Sequence, residues 1–65
     1  MKQTVRLRSS ALAEASYDPD TRELDVEFVH GKTYTHTNVP QSVFDELTQS
    51  SSPGNFYAHN IKGQY

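Results

Sequence analysis

The sequence predicts an α+β fold, a three-stranded antiparallel β-meander followed by two helices, the second short. Three observations carry that expectation. Residues 24–28, LDVEF, alternate strictly between apolar and acidic side chains, the period-two signature of a half-buried strand. Val39, Val43, Phe44 and Leu47 recur at spacings of three and four, which gives a helix one apolar stripe. Asp18-Pro19, Gly31 and Ser52-Pro53 punctuate the chain between these segments with residues suited to turns and helix starts.

Taken in order, residues 1–9 read as a basic N-terminal arm carrying Lys2, Arg6 and Arg8, and residues 10–65 as one domain. Leu12, Ala15 and Tyr17 give an irregular apolar pattern that suits a short edge strand with a bulge. Asp18 can then form an Asx-turn while Pro19 presets φ, leading into the strand of residues 24–28. Gly31 supplies the positive φ of a tight hairpin, and KTYTHTN is rich in the strand formers Thr and Tyr. Val39, standing before a proline, is pushed out of helical angles, and Pro40 suits the first position of a helix. Ser52 and Pro53 repeat the pattern as N-cap and first residue of the second helix. There Phe56 with Asn60, and Tyr57 with Ile61 and Tyr65, fall at helical spacing before Gly63 stops the segment.

The turn at Gly31 decides where Tyr34 and His36 point, because a one-residue slip moves every side chain to the other face. A two-residue turn at His30-Gly31 sets Glu27 opposite Tyr34 and exposes both rings beside Asp25 and Glu27. A three-residue loop of Val29, His30 and Gly31 sets Phe28 opposite Lys32, Val26 opposite Tyr34 and Leu24 opposite His36, turning the rings to the core. Core economy favours the second, since a buried aromatic contributes about 2–3 kcal/mol that a small domain can hardly spare.

Length and composition bound the function. At 65 residues the chain buries only about 60% of its unfolded surface, which leaves little room for a convergent catalytic pocket. Cysteine is absent, which removes disulfides and thiolate metal sites. His30, His36 and His59 lack close spacing, so neither a metal nor another cofactor is expected. Ser50, Ser51 and Ser52 are accounted for by helix termination and capping, so no enzyme is expected. The first ten residues lack the apolar run of a secretory signal and no segment approaches membrane-spanning length, so the expectation is a cytoplasmic protein with no membrane contact.

Charge is unevenly distributed. Six basic residues face eight acidic ones, yet six of the acids fall between Glu14 and Glu27 against the single Arg22. A solvated acidic hairpin face accounts for most of them. Only the N-terminal arm offers the basic patch that phosphate binding favours.

The ordered set Tyr17-Asp18, Leu24-x-Val26-x-Phe28, Gly31, Tyr34-x-His36, Val39-Pro40, Val43-Phe44, Leu47, Ser52 with Gly54, Phe56-Tyr57, Ile61 and Tyr65 resembles the KTSC domain family from about Ser10 to the last residue. The family comprises modules of about this length at the C-terminus of some lysyl-tRNA synthetases and small free-standing bacterial and phage proteins. His36 departs from the pattern, standing where the family usually has a second tyrosine. The fusion to a synthetase implies RNA binding.

Two readings of function follow. One is a non-enzymatic module that binds tRNA or single-stranded nucleic acid through Tyr34, His36, Phe56, His59, Asn60 and Lys62, with Lys32, Arg6 and Arg8 meeting phosphate. The other is a protein interaction module whose unidentified partner contacts the acidic hairpin or an exposed strand edge.

Overall fold

A computed structural model describes residues 2–65. Its elements are β1 (Gln3–Arg6), β2 (Leu12–Asp18), β3 (Glu23–Phe28), β4 (Thr33–His36), α1 (Gln41–Gln49) and α2 (Pro53–Phe56), the last running directly into a π-helical turn over Tyr57–Ile61. The strands form one antiparallel sheet in the order β1-β2-β3-β4.

The α+β class and the two helices are as expected, but the sheet has four strands rather than three. The additional strand, β1, comes from the residues read as a basic arm. Val5 stands opposite Ala15 and packs against the core, while Thr4 and Arg6 stand opposite Ser16 and Glu14. The residues of β2, expected at the edge, are therefore interior. One apolar residue among Lys, Thr and Arg carries almost no periodic signal; the strand forms because the open edge of β2 offers it backbone partners.

The irregularity of β2 is a bulge. Its register against β3 shifts between Leu12 and Glu14, and the Leu7 N–H donates to the Ala13 carbonyl at 3.0 Å. The extra residue lets Leu12, Ala15 and Tyr17 all face the core, which strict alternation forbids. In the β2–β3 turn Asp18 Oδ1 accepts from the Asp20 N–H at 2.9 Å, the Asx-turn anticipated from the sequence.

The β3–β4 hairpin adopts the three-residue loop. Val26 pairs with Tyr34 and Leu24 with His36, the Phe28 N–H donates to the Lys32 carbonyl at 2.8 Å, and the Gly31 N–H donates to the Phe28 carbonyl at 2.9 Å. Gly31 takes φ 102°, in the region that side chains disfavour.

Both helices lie on one face of the sheet and enclose a core of Leu7, Leu12, Ala15, Tyr17, Leu24, Val26, Val39, Phe44, Leu47, Tyr57 and Ile61. Tyr17 anchors α1: its ring stacks on Phe44 at 5.3 Å and its hydroxyl donates to the Val39 carbonyl. Pro40 precedes α1 as its N-cap, with extended ψ of 151°, rather than occupying the first helical position. Ser52 and Pro53 start α2 as N-cap and first residue. The Lys62 N–H reaches the Tyr57 carbonyl at 2.9 Å, and the chain leaves the turn through Gly63 at φ 83°.

The opposite face of the sheet carries no helix. Thr4, Ser16, Asp25 and Thr35 form a row across it, with Glu14 and Glu27 in the next row. Lys2 Nζ pairs with Asp25 Oδ2 at 3.1 Å, and the Thr35 hydroxyl donates to Asp25 Oδ1 at 2.6 Å. That hydrogen bond, with help from Lys2 and against some burial, holds the Asp25 carboxyl below its ordinary value.

Candidate functional site

The register turns Tyr34 and His36 to the helix-covered side of the sheet, as core economy favoured, but it does not bury Tyr34. The Tyr34 side of β4 lies at the edge, beyond the cover of the helices, and the residue is 45% exposed. Facing the core and being covered by it are separate conditions, and only the first is met here.

Tyr34 belongs to a run of touching rings. Its ring meets Phe28 edge-on at 5.4 Å; Phe28 in turn stacks with His30 at 5.4 Å and meets Tyr57 edge-on at 5.5 Å. Tyr57 meets His36 at 5.4 Å. These offset and edge-on arrangements are the favourable ones for aromatic quadrupoles. The result is a ring surface with a buried foot, Tyr57, and exposed members, Tyr34 and His30.

Hydrogen bonds fix the far end of the run. His36 Nδ1 lies 3.3 Å from the Tyr65 carbonyl, and its Nε2 lies 2.8 Å from the Tyr57 hydroxyl. A carbonyl only accepts, so Nδ1 carries the proton and, in the neutral ring, Nε2 accepts from Tyr57. Burial pushes the Tyr57 phenol above its ordinary value, and the Tyr34 phenol nearby adds to the effect.

The remaining candidates divide. Lys32 stands at the hairpin beside the ring run, opposite Phe28. His59, Asn60 and Lys62 are exposed on the solvent side of the π turn, away from Tyr57 and Ile61, and Asn60 Nδ2 donates to the Phe56 carbonyl at 3.3 Å. Phe56 is partly buried against the core, so it offers less surface than its position suggested. Tyr65, grouped with Tyr57 and Ile61 by spacing, is 41% exposed because the chain departs from the helix at Gly63. Arg6 and Arg8 lie across the sheet from β4, on β1 and the segment that follows it. Among the described residues no three His, Asp or Glu side chains converge in a metal-binding arrangement, and no helix is long and apolar enough to cross a membrane.

This fold is shared with known proteins. A family model described as the KTSC domain matches residues 8–65. The chain belongs to the KTSC domain family. A crystal structure of a KTSC domain protein from Yersinia pestis superimposes with a TM-score of 0.91 at 31% identity, covering 98% of this chain and 90% of that one. A protein of Tsukamurella paurometabola is 37% identical over 59 residues, 91% of this chain and 88% of its own length. The lysine–tRNA ligase of a Nostoc species is 39% identical over 49 residues, 75% of this chain but 9% of the ligase. The KTSC domain is thus similar to a separate, small part of that enzyme.

Three members of the ring run, Phe28, His30 and Tyr57, are not among the site residues that the sequence suggests. Phe28 and Tyr57 read as core by their periodicity, and His30 read as a turn residue. Their meeting is a product of the hairpin loop together with the placement of the π turn, and the π turn leaves no local signal.

Proposed function

We propose that this KTSC domain is a non-enzymatic binding module for RNA or single-stranded nucleic acid that works in the cytoplasm. The observation that carries the reading is the exposed Tyr34 ring seated on Phe28, with His30 and Lys32 at the same hairpin. Unpaired bases stack on such surfaces with about 1–3 kcal/mol each, and a lysine beside them meets phosphate. Charge supports an approach from this side, because Asp25, Glu27 and Glu14 point from the uncovered face of the sheet and repel a polyanion there. The similarity to part of a lysine–tRNA ligase makes tRNA the first ligand to try.

The test is fluorescence anisotropy with tRNA and short single-stranded RNA and DNA at low salt. Binding is expected to weaken steeply as salt rises, and Tyr34→Ala is expected to lower affinity by about 5- to 100-fold. Absence of binding to all of these ligands, or a Tyr34→Ala variant that binds as tightly as the parent, overturns the reading.

A second reading rests on the free edge of β4. The Phe28–Lys32 hydrogen bond fixes the alternation, so Tyr34 and His36 direct their backbone groups to β3, and Thr33, Thr35 and Thr37 direct theirs outward. An extended peptide could add there as a fifth strand. A single stoichiometric protein partner whose binding shifts the Thr33, Thr35 and Thr37 amides, without nucleic acid, supports this alternative. The opposite edge, expected on the segment now seen as β2, is occupied by β1.

A further inference from the structure

We infer that a second surface, at the hairpin end of the sheet, is a phosphate-binding groove. The link between β1 and β2 and the link between α1 and α2 run side by side there. They enclose an open groove of about 460 Å³ whose walls include Arg8, Ser9, Ser10, Ser51, Ser52 and Asn55. A neighbouring groove of about 390 Å³ shares Arg8 and Ser51 and adds Arg6. Among the described residues no carboxylate lines either one, although the chain carries more acids than bases.

The hydrogen-bonding state of the walls is one-sided. Ser9 Oγ accepts from the Ala11 and Leu12 N–H groups at 3.1 and 3.2 Å, which occupies both lone pairs and leaves its O–H proton to be donated elsewhere. Ser50 Oγ likewise accepts from the Ser52 N–H at 3.1 Å. Ser10 and Ser51 are exposed, and among the described residues neither Arg6 nor Arg8 pairs with a carboxylate. Hydroxyl donors thus share the groove with the Arg8 guanidinium, while Arg6, at its margin, also stands opposite Glu14 on the neighbouring strand. A tetrahedral oxyanion fits this chemistry, because guanidinium offers a fork of N–H donors matched to phosphate oxygens.

The phosphate could belong to a polynucleotide backbone or to a small phosphomonoester. The groove borders the ring surface, since the Val29 N–H donates to the Ala11 carbonyl at 2.9 Å and Val29 lies between Phe28 and His30.

Backbone amide shifts of labelled protein should be followed while inorganic phosphate, a nucleoside monophosphate and a short single-stranded oligonucleotide are added at constant ionic strength. Phosphate is expected to shift the Ser9, Ser51, Ser52 and Asn55 amides saturably, and Arg8→Gln to weaken that response by about fivefold or more. Ser51, exposed and without a side-chain hydrogen bond among the described residues, supplies the second variant, and Ser51→Ala is expected to weaken the response by about twofold. Tighter binding of the oligonucleotide than of the monophosphate identifies a backbone ligand, and the reverse order a small one; each supports the groove. Shifts that do not saturate, that sodium chloride reproduces, or that survive in both variants overturn it. Failure of the ring-surface reading is separable, because Tyr34→Ala leaves the inorganic phosphate response unchanged.

Discussion

The His36 imidazole and the Tyr57 hydroxyl, 2.8 Å apart, tie the edge strand β4 to the π turn that closes the chain. Tyr57 is buried, so its hydroxyl depends on this partner to offset the loss of water. His36→Ala removes it and is expected to lower stability by about 1–2 kcal/mol, more than Tyr57→Phe at about 0.5–1 kcal/mol, because only the former orphans a buried polar group. Urea denaturation of the two single variants and the double variant checks this. Strictly additive losses would show that the two groups do not interact.

Tyr17 poses the same question in the core. Its hydroxyl is the partner of the buried Val39 carbonyl, at the point where β4 gives way to α1. Tyr17→Phe keeps the stacked contact with Phe44 and strands the carbonyl. A loss of about 1–2 kcal/mol is expected, with the ring-current shifts of Phe44 preserved in the NMR spectrum. A variant as stable as the parent would mean that water reaches Val39.

Two glycines should respond to alanine with opposite signs. Gly31 has open space around a built Cβ but φ 102°, so Gly31→Ala is expected to cost about 1–2 kcal/mol from backbone strain alone. Gly54 has helical φ, and its Cβ would meet Ser9 Oγ and Ala11 Cβ at ordinary contact distances of 3.5 and 3.6 Å. Gly54→Ala is expected to gain about 0.5 kcal/mol through helix propensity. Thermal melts of the pair check the contrast, and equal effects would contradict it.

The pH dependence of stability follows from two groups. Asp25 has a carboxyl held low by Thr35 first and by Lys2. Its folded form therefore binds its proton less readily than the unfolded form. The stability it contributes is present above the ordinary carboxylate value of 3.8 and is lost as pH falls through its folded value. Thr35→Val is expected to move the Asp25 titration upward and reduce the acid-side loss, measured by carboxyl-carbon NMR. Tyr57 acts at the other extreme: its raised phenol contributes stability below pH 10 that is lost as pH rises through its folded value. An Asp25 titration that Thr35→Val leaves in place would remove the acid-side half of the account.

The sequence and the structure agree where the signal is local. Gly31 and the demand for core area select the right hairpin register, the stripe from Val39 to Leu47 places α1, and Ser52-Pro53 places α2. Disagreement arises where the deciding partner is distant. Thr4, Val5 and Arg6 become a strand only because β2 has an edge to offer. Tyr34 has the right face but escapes burial because coverage depends on where the helices end. The ring run joins residues from β3, β4 and the π turn that no spacing rule connects, and the serine–arginine groove joins two segments from opposite ends of the chain.

The alignment of the strands gives the sheet two unlike ends. Gln3, Tyr17, Leu24 and His36 stand in one row, and the Tyr65 carbonyl meets His36 there. The start of β1 and Tyr65 therefore lie at the same pole. A body attached at that pole would leave the hairpin tip and its adjoining loops, at the other end of the sheet, uncovered.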